Sequence, residues 1–162
     1  MINILPTQTR AIQPAVSYVV GNEAPLIIAA ADFNLDGKMD IVNTNSDGNS
    51  VALLLGRGDG TFHSAVLYSI GDNSPWGGAI VDDFNRDGNS DIATTNRLLD
   101  NVARLLGNGN GTLKPAVPYN VGNYPTGITV GDFNQDGRLD MVNINMGPLH
   151  SISANRKWGW NF

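Results

Sequence analysis

Asp32–Asp40 reads DFNLDGKMD. The same nine-residue pattern returns as DFNRDGNSD at Asp83–Asp91 and as DFNQDGRLD at Asp132–Asp140, with starts 51 and 49 residues apart. A period of this length marks one supersecondary unit, repeated, rather than a run of separate domains. Other features keep the register. AVxY occurs at Ala15–Tyr18, Ala65–Tyr68 and Ala116–Tyr119, and each copy is followed by a glycine (Gly21, Gly71, Gly122) and then a proline (Pro25, Pro75, Pro125). Gly58–Phe62 (GDGTF) and Gly109–Leu113 (GNGTL) match in the same way.

The chemistry of the repeated loop points to calcium. Ca²⁺ takes six to eight hard oxygen ligands at about 2.3–2.6 Å. The spacing D-x-N-x-D-G-x-x-D brings alternate oxygen-bearing side chains round one point, and its glycine allows a sharp turn. The expected ligands of the first loop are Asp32, Asn34, Asp36, the Lys38 carbonyl and Asp40. Those of the second are Asp83, Asn85, Asp87, the Asn89 carbonyl and Asp91. Those of the third are Asp132, Asn134, Asp136, the Arg138 carbonyl and Asp140. Phe33, Phe84 and Phe133 are expected to turn away from the ion into the core. An EF-hand is excluded, because the twelfth positions are Asn43, Thr94 and Asn143 where that loop needs Glu, and no helices flank the motif. Mg²⁺ fits less well, since it keeps several of its waters.

Around each loop lie four short strand candidates separated by turn signals. In the first unit these are Leu26–Ala31, Ile41–Thr44, Val51–Leu55 and Ala65–Ile70, with an Asp47-Gly48 turn and a hairpin at Gly58–Thr61. Asp-Gly and Asn-Gly pairs between apolar runs are hairpin signals, because glycine accepts positive φ. Four antiparallel strands in about 50 residues is the size of a propeller blade. The units resemble FG-GAP repeats, also called VCBS-type repeats, over roughly Ala15 to Ser153. The resemblance implies an all-β protein of β-propeller blades, about three per chain, with one Ca²⁺ in a strand-to-strand hairpin of each.

Composition agrees with an all-β chain: 19 Gly, 8 Pro, 41% hydrophobic and only 15% charged residues. Of 14 Asp, nine lie in the three loops, so three bound Ca²⁺ would bring the net charge from −5 to +1. The acidity is therefore site chemistry. No basic stripe with interleaved aromatics marks a nucleic-acid partner, and no apolar run is long enough to span a membrane. With no cysteine, thiol catalysis and disulfides are excluded. His63 and His150 stand apart from any nucleophile motif, so no enzyme is expected.

The chain reads as a single repeat domain over 1–162. Its units are 1–21 (outer strands of a split blade, Met1–Leu5 aligning with Val102–Leu106), 22–71, 72–122 and 123–162. Three blades do not close a ring, since propellers have about four or more, so self-association is expected, most simply a homodimer forming a six-bladed ring; the competing reading is a fragment of a longer propeller. The last hairpin has diverged to NRKWGWNF at Asn155–Phe162. One set of codons able to encode it, read one base later, gives TGNGDGT, the expected hairpin, so a single-base frameshift near Ala154 is the expectation, to be tested by sequencing the gene. The functional expectation is a calcium-binding structural and interaction module, for adhesion or ligand recognition. The alternative is a lectin-like carbohydrate-binding propeller, and a fragment of a polysaccharide-active enzyme is less favoured. Loops without a bidentate Glu suit the ~10⁻⁴–10⁻³ M affinities of extracellular modules, which points outside the cell.

Overall fold

The structure is a computed structural model and describes residues 15–21, 24–71, 77–148 and 150–155. It is all-β, with three antiparallel sheets following one another along the chain. The first contains β1 (Pro25–Ala31), β2 (Asp40–Asn45), β3 (Ser50–Leu54) and β4 (Val66–Ser69), in that order across the sheet. The second repeats it with β5 (Ala79–Asp82), β6 (Asp91–Asn96), β7 (Asn101–Leu105) and β8 (Val117–Asn120). The third has β9 (Pro125–Gly131), β10 (Asp140–Asn145) and β11 (Ser151–Asn155), with β10 in the centre. A single 3₁₀ turn, Arg97–Leu99, is the only helical element among the described residues, and none of these forms a helix able to cross a membrane.

Strand burial follows from stacking. β6 is buried along its whole length because its sheet has a neighbour on each face, and β2, with a neighbouring sheet on one face, is buried at all but Ile41. β5 lies beside both β1 and β9, so the second sheet sits between the other two. One apolar cluster joins Phe33, Val42, Val51 and Leu53 of the first sheet to Ile92, Ala103, Leu105 and Leu113 of the second. Another joins Phe84, Ala93 and Val102 of the second sheet to Met141 of the third, with Ile128 and Val130 against it. The first and second sheets thus insert their loop phenylalanines into the sheet that follows. Phe33 and Phe84 are 1% and 4% exposed, but Phe133 is 60% exposed, against the expectation that all three are core. No further sheet follows the third among the described residues, so its phenylalanine has nothing to enter.

The hairpin turns differ from the expectation in one detail. Gly48 does not supply the positive φ before β3; Asn49 does, at 49°. Asp100 (54°) and His150 (29°) hold the same place before β7 and β11. Asn and Asp tolerate this region better than other side chains. The glycine hairpins do use their glycines, with Gly58, Gly60, Gly109 and Gly111 all at positive φ. Met1–Leu5, Trp76 and the diverged segment 156–162 lie outside the described residues.

The segment Ala15–Gly21 belongs to no sheet, yet it holds a defined place. Asn45 Nδ2 donates to Val20 O at 2.7 Å, as Asn96 Nδ2 donates to Ile70 O at 3.1 Å. Tyr18 packs edge-on against Phe62, 5.5 Å between ring centres, while Tyr68 packs in the cluster that contains Leu113. Ala15–Gly21 therefore lies against the first sheet as the outer strand of the first sheet lies against the second.

Candidate metal centre

Each acidic loop joins the first two strands of its sheet, β1 to β2, β5 to β6 and β9 to β10. Its shape is set by carboxylates collecting backbone amides. In the first loop the Asp36 amide donates to both Asp32 Oδ1 (3.2 Å) and Asn34 Oδ1 (3.1 Å), and the Gly37 amide donates to Asp32 Oδ2 (2.7 Å). The Lys38 amide then donates to Asp36 Oδ1 (2.9 Å). The second loop repeats this with Asp87 N to Asp83 and Asn85, Gly88 N to Asp83, and Asn89 N to Asp87. The third repeats it with Asp136 N to Asp132 and Asn134, Gly137 N to Asp132, and Arg138 N to Asp136. Sharing one amide holds the oxygens of the first and third positions side by side, exposed to solvent.

The ninth residue plays another part. Asp40 is fully buried, its Oδ2 accepting from Phe33 N and its Oδ1 from Gly56 N, both at 2.8 Å. Asp91 does the same with Phe84 N (3.0 Å) and Gly107 N (2.8 Å). Asp140 Oδ2 accepts from Phe133 N at 3.1 Å. Asp40 and Asp91 thereby clamp their loops to the start of the glycine hairpin. Accordingly, no three His, Asp or Glu side chains among the described residues form a ready cluster for a metal ion. The first, third and fifth positions come together, and the ninth stands behind them with its oxygens engaged. A carboxylate has about four acceptor sites, so those engaged oxygens retain lone pairs.

Electrostatics fit a cation. Burial pushes the Asp91 carboxyl up to about 6, and the charges of Asp87 and Asp83 push the same way against the amides of Gly107 and Phe84. A bound cation would cancel that repulsion. In the first loop Lys38 supplies part of the compensation: its Nζ lies 3.0 Å from Asp36 Oδ2 and holds the Asp36 carboxyl below its usual value.

Two features were not anticipated from the residues. The fourth loop position is left-handed in all three loops, at Leu35 (58°), Arg86 (61°) and Gln135 (61°). Three non-glycine residues in one strained conformation at one motif position show how firmly the amide network imposes the loop shape. The clamp glycines are the other. A Cβ on Gly56 or Gly107 would run into the backbone carbonyl of Met39 or Ser90. Their signal was available, since both stand 16 residues after the ninth-position Asp, where the third unit has Arg156. Gly37 differs: at φ +80° it has nothing within 4 Å of a Cβ. Gly37→Ala should therefore cost only the conformational term, about 1–2 kcal/mol, measurable by urea unfolding.

Stacked antiparallel sheets of three to four strands, each carrying an Asp/Asn loop between its first two strands, define an all-β repeat protein. A family model for the FG-GAP-like repeat matches residues 32–94 and again 83–142. The chain belongs to the FG-GAP-like repeat family. A comparison with curated proteins finds no match.

Proposed function

We propose that this chain is a calcium-binding, propeller-type repeat module with a structural and interaction role outside the cell. The observation that carries this reading is the recurrence of one amide network in three loops, each presenting two carboxylates and an amide oxygen on an exposed surface. Asp32, Asn34 and Asp36 would hold the first ion, with the Lys38 carbonyl and Asp40 completing the shell. Asp83, Asn85, Asp87, Asn89 and Asp91 would hold the second, and Asp132, Asn134, Asp136, Arg138 and Asp140 the third. The ion would neutralise the loop and fix the strand connection, while the sheets present a surface for adhesion or ligand recognition.

A glycan-binding role draws less support, because the recurring tyrosines are used in packing. Tyr18 meets Phe62, and Tyr119 lies 5.2 Å beneath the Arg104 guanidinium.

Calorimetric titration should show three Ca²⁺ per chain, falling to two in each of Asp36→Ala, Asp87→Ala and Asp136→Ala. Calcium at a hundred times its dissociation constant should raise the melting temperature by roughly 5–10 °C per occupied site, and chelator should reverse the rise. No binding heat and no thermal shift at millimolar calcium would sink this reading.

A further inference from the structure

We propose that the open side of the third sheet is covered by a second copy of this chain, whose Ala15–Val20 segment adds a fourth strand along β11. This rests on reading the sheets as propeller-type blades, and does not require a bound calcium ion.

Among the described residues the third sheet is unfinished on two counts. Among the described residues β11 pairs only with β10, whereas β3 and β7 each carry an outer strand. The sheet also shows an uncovered apolar face. Ile144 and Ile152 pair across β10 and β11 and are 50% and 73% exposed. The residues in those places in the first sheet, Thr44 and Val51, are buried, as are Thr95 and Val102 in the second. Phe133 joins this face. Each of its counterparts is covered by the next sheet.

The opposite end of the chain offers the complement. The second and third sheets receive a phenylalanine on the face that carries Ile92, or Met141 with Ile128. The first sheet has Ile41 and Ile28 in those places, and Ile28 is exposed. Val20, Leu26, Ile28 and Ile41 line an open apolar groove there. Among the described residues the third sheet thus has no receiving face against it and the first has no inserting one. Both halves belong to a junction that the molecule already makes twice.

Ala15–Gly21 fixes the geometry, because it rests against the first sheet as a preceding outer strand would. A third sheet docked there would find that strand beside β11. The register follows from the other sheets, where Tyr68 pairs with Val51 and Tyr119 with Val102. Tyr18 should pair with Ile152 of the second copy, and Val16 with its Ala154. Two such junctions close two chains on a two-fold axis.

The chain has no cysteine, so engineered thiols report cleanly. Val16→Cys and Ala154→Cys, prepared as separate variants, mixed and oxidised, should give a covalent dimer on a non-reducing gel. Val16→Cys with Ile152→Cys, two residues out of register, should give several-fold less, because a diagonal pair at about 7–8 Å exceeds disulfide reach. Light scattering should give the unmodified chain twice its 17.3 kDa mass. Phe133→Asp should return it to a single chain with an unchanged circular dichroism spectrum. A monomeric unmodified chain, a dimer that survives Phe133→Asp, or equal cross-linking of both cysteine pairs would each overturn the proposal. The cross-link reads the junction with or without calcium, so its failure is separate from failure of the calcium titration.

Discussion

Phe33→Ala is expected to destabilise the protein by about 3–5 kcal/mol, the usual cost of truncating a fully buried aromatic ring. Phe133→Ala, in the same motif position, should cost less than about 1 kcal/mol in dilute single chains, because most surface substitutions stay within about 0.5 kcal/mol. Phe33 sits among Val42 and Val51 of its own sheet and Ile92 and Leu105 of the next. Removing it opens a cavity between two sheets that strand pairing alone does not hold together. Urea unfolding of the two variants measures the difference directly. Equal losses would mean that the third sheet is covered after all in the conditions used. Raising protein concentration until copies associate should bring the Phe133 penalty up toward that of Phe33.

Asp40→Ala should cost about 2–6 kcal/mol, because it strands two buried amides, those of Phe33 and Gly56, at about 1–3 kcal/mol each. Asp40→Asn retains one acceptor oxygen and turns an amide group toward the other donor, so its loss should be intermediate. The comparison is made by urea unfolding in chelator, which leaves out any metal contribution. If Asp40→Ala were harmful only with calcium present, its role as a clamp between loop and hairpin would be wrong. A large loss in chelator shows the carboxylate holding the fold before any ion arrives.

Much of this was legible in the sequence because the repeat wrote it three times. Leu26–Ala31, Ile41–Thr44 and Val51–Leu55 became β1, β2 and β3 with ends shifted by one residue, and the glycine hairpins use the glycines the pattern marked. What failed was reading each unit as equivalent to the others. Phe133 has the same neighbours in sequence as Phe33, but burial depends on the sheet that follows, and local pattern carries no trace of it. The ninth-position aspartates were hidden for a related reason. Their partners, Gly56 and Gly107, lie 16 residues away, and an acidic residue at a motif's end reads first as a ligand. The left-handed turns at Asn49 and Asp100 were obscured by the Asp47-Gly48 pair, which drew attention to the wrong residue.

The first loop does not end at its own sheet. Ser90 Oγ donates to Asp32 O at 3.2 Å, and the Gly111 amide donates to Phe33 O at 3.0 Å, so two carbonyls of the loop are held by the sheet that follows. Whatever orders that loop also tightens the junction, and by thermodynamic reciprocity the junction must tighten the loop by the same factor. Three loops of near-identical sequence are then not three identical sites. The first has its supporting sheet supplied by the same chain. A calcium ion bound in the third loop, as proposed, would find that support in the proposed second copy, and its affinity would then rise with protein concentration.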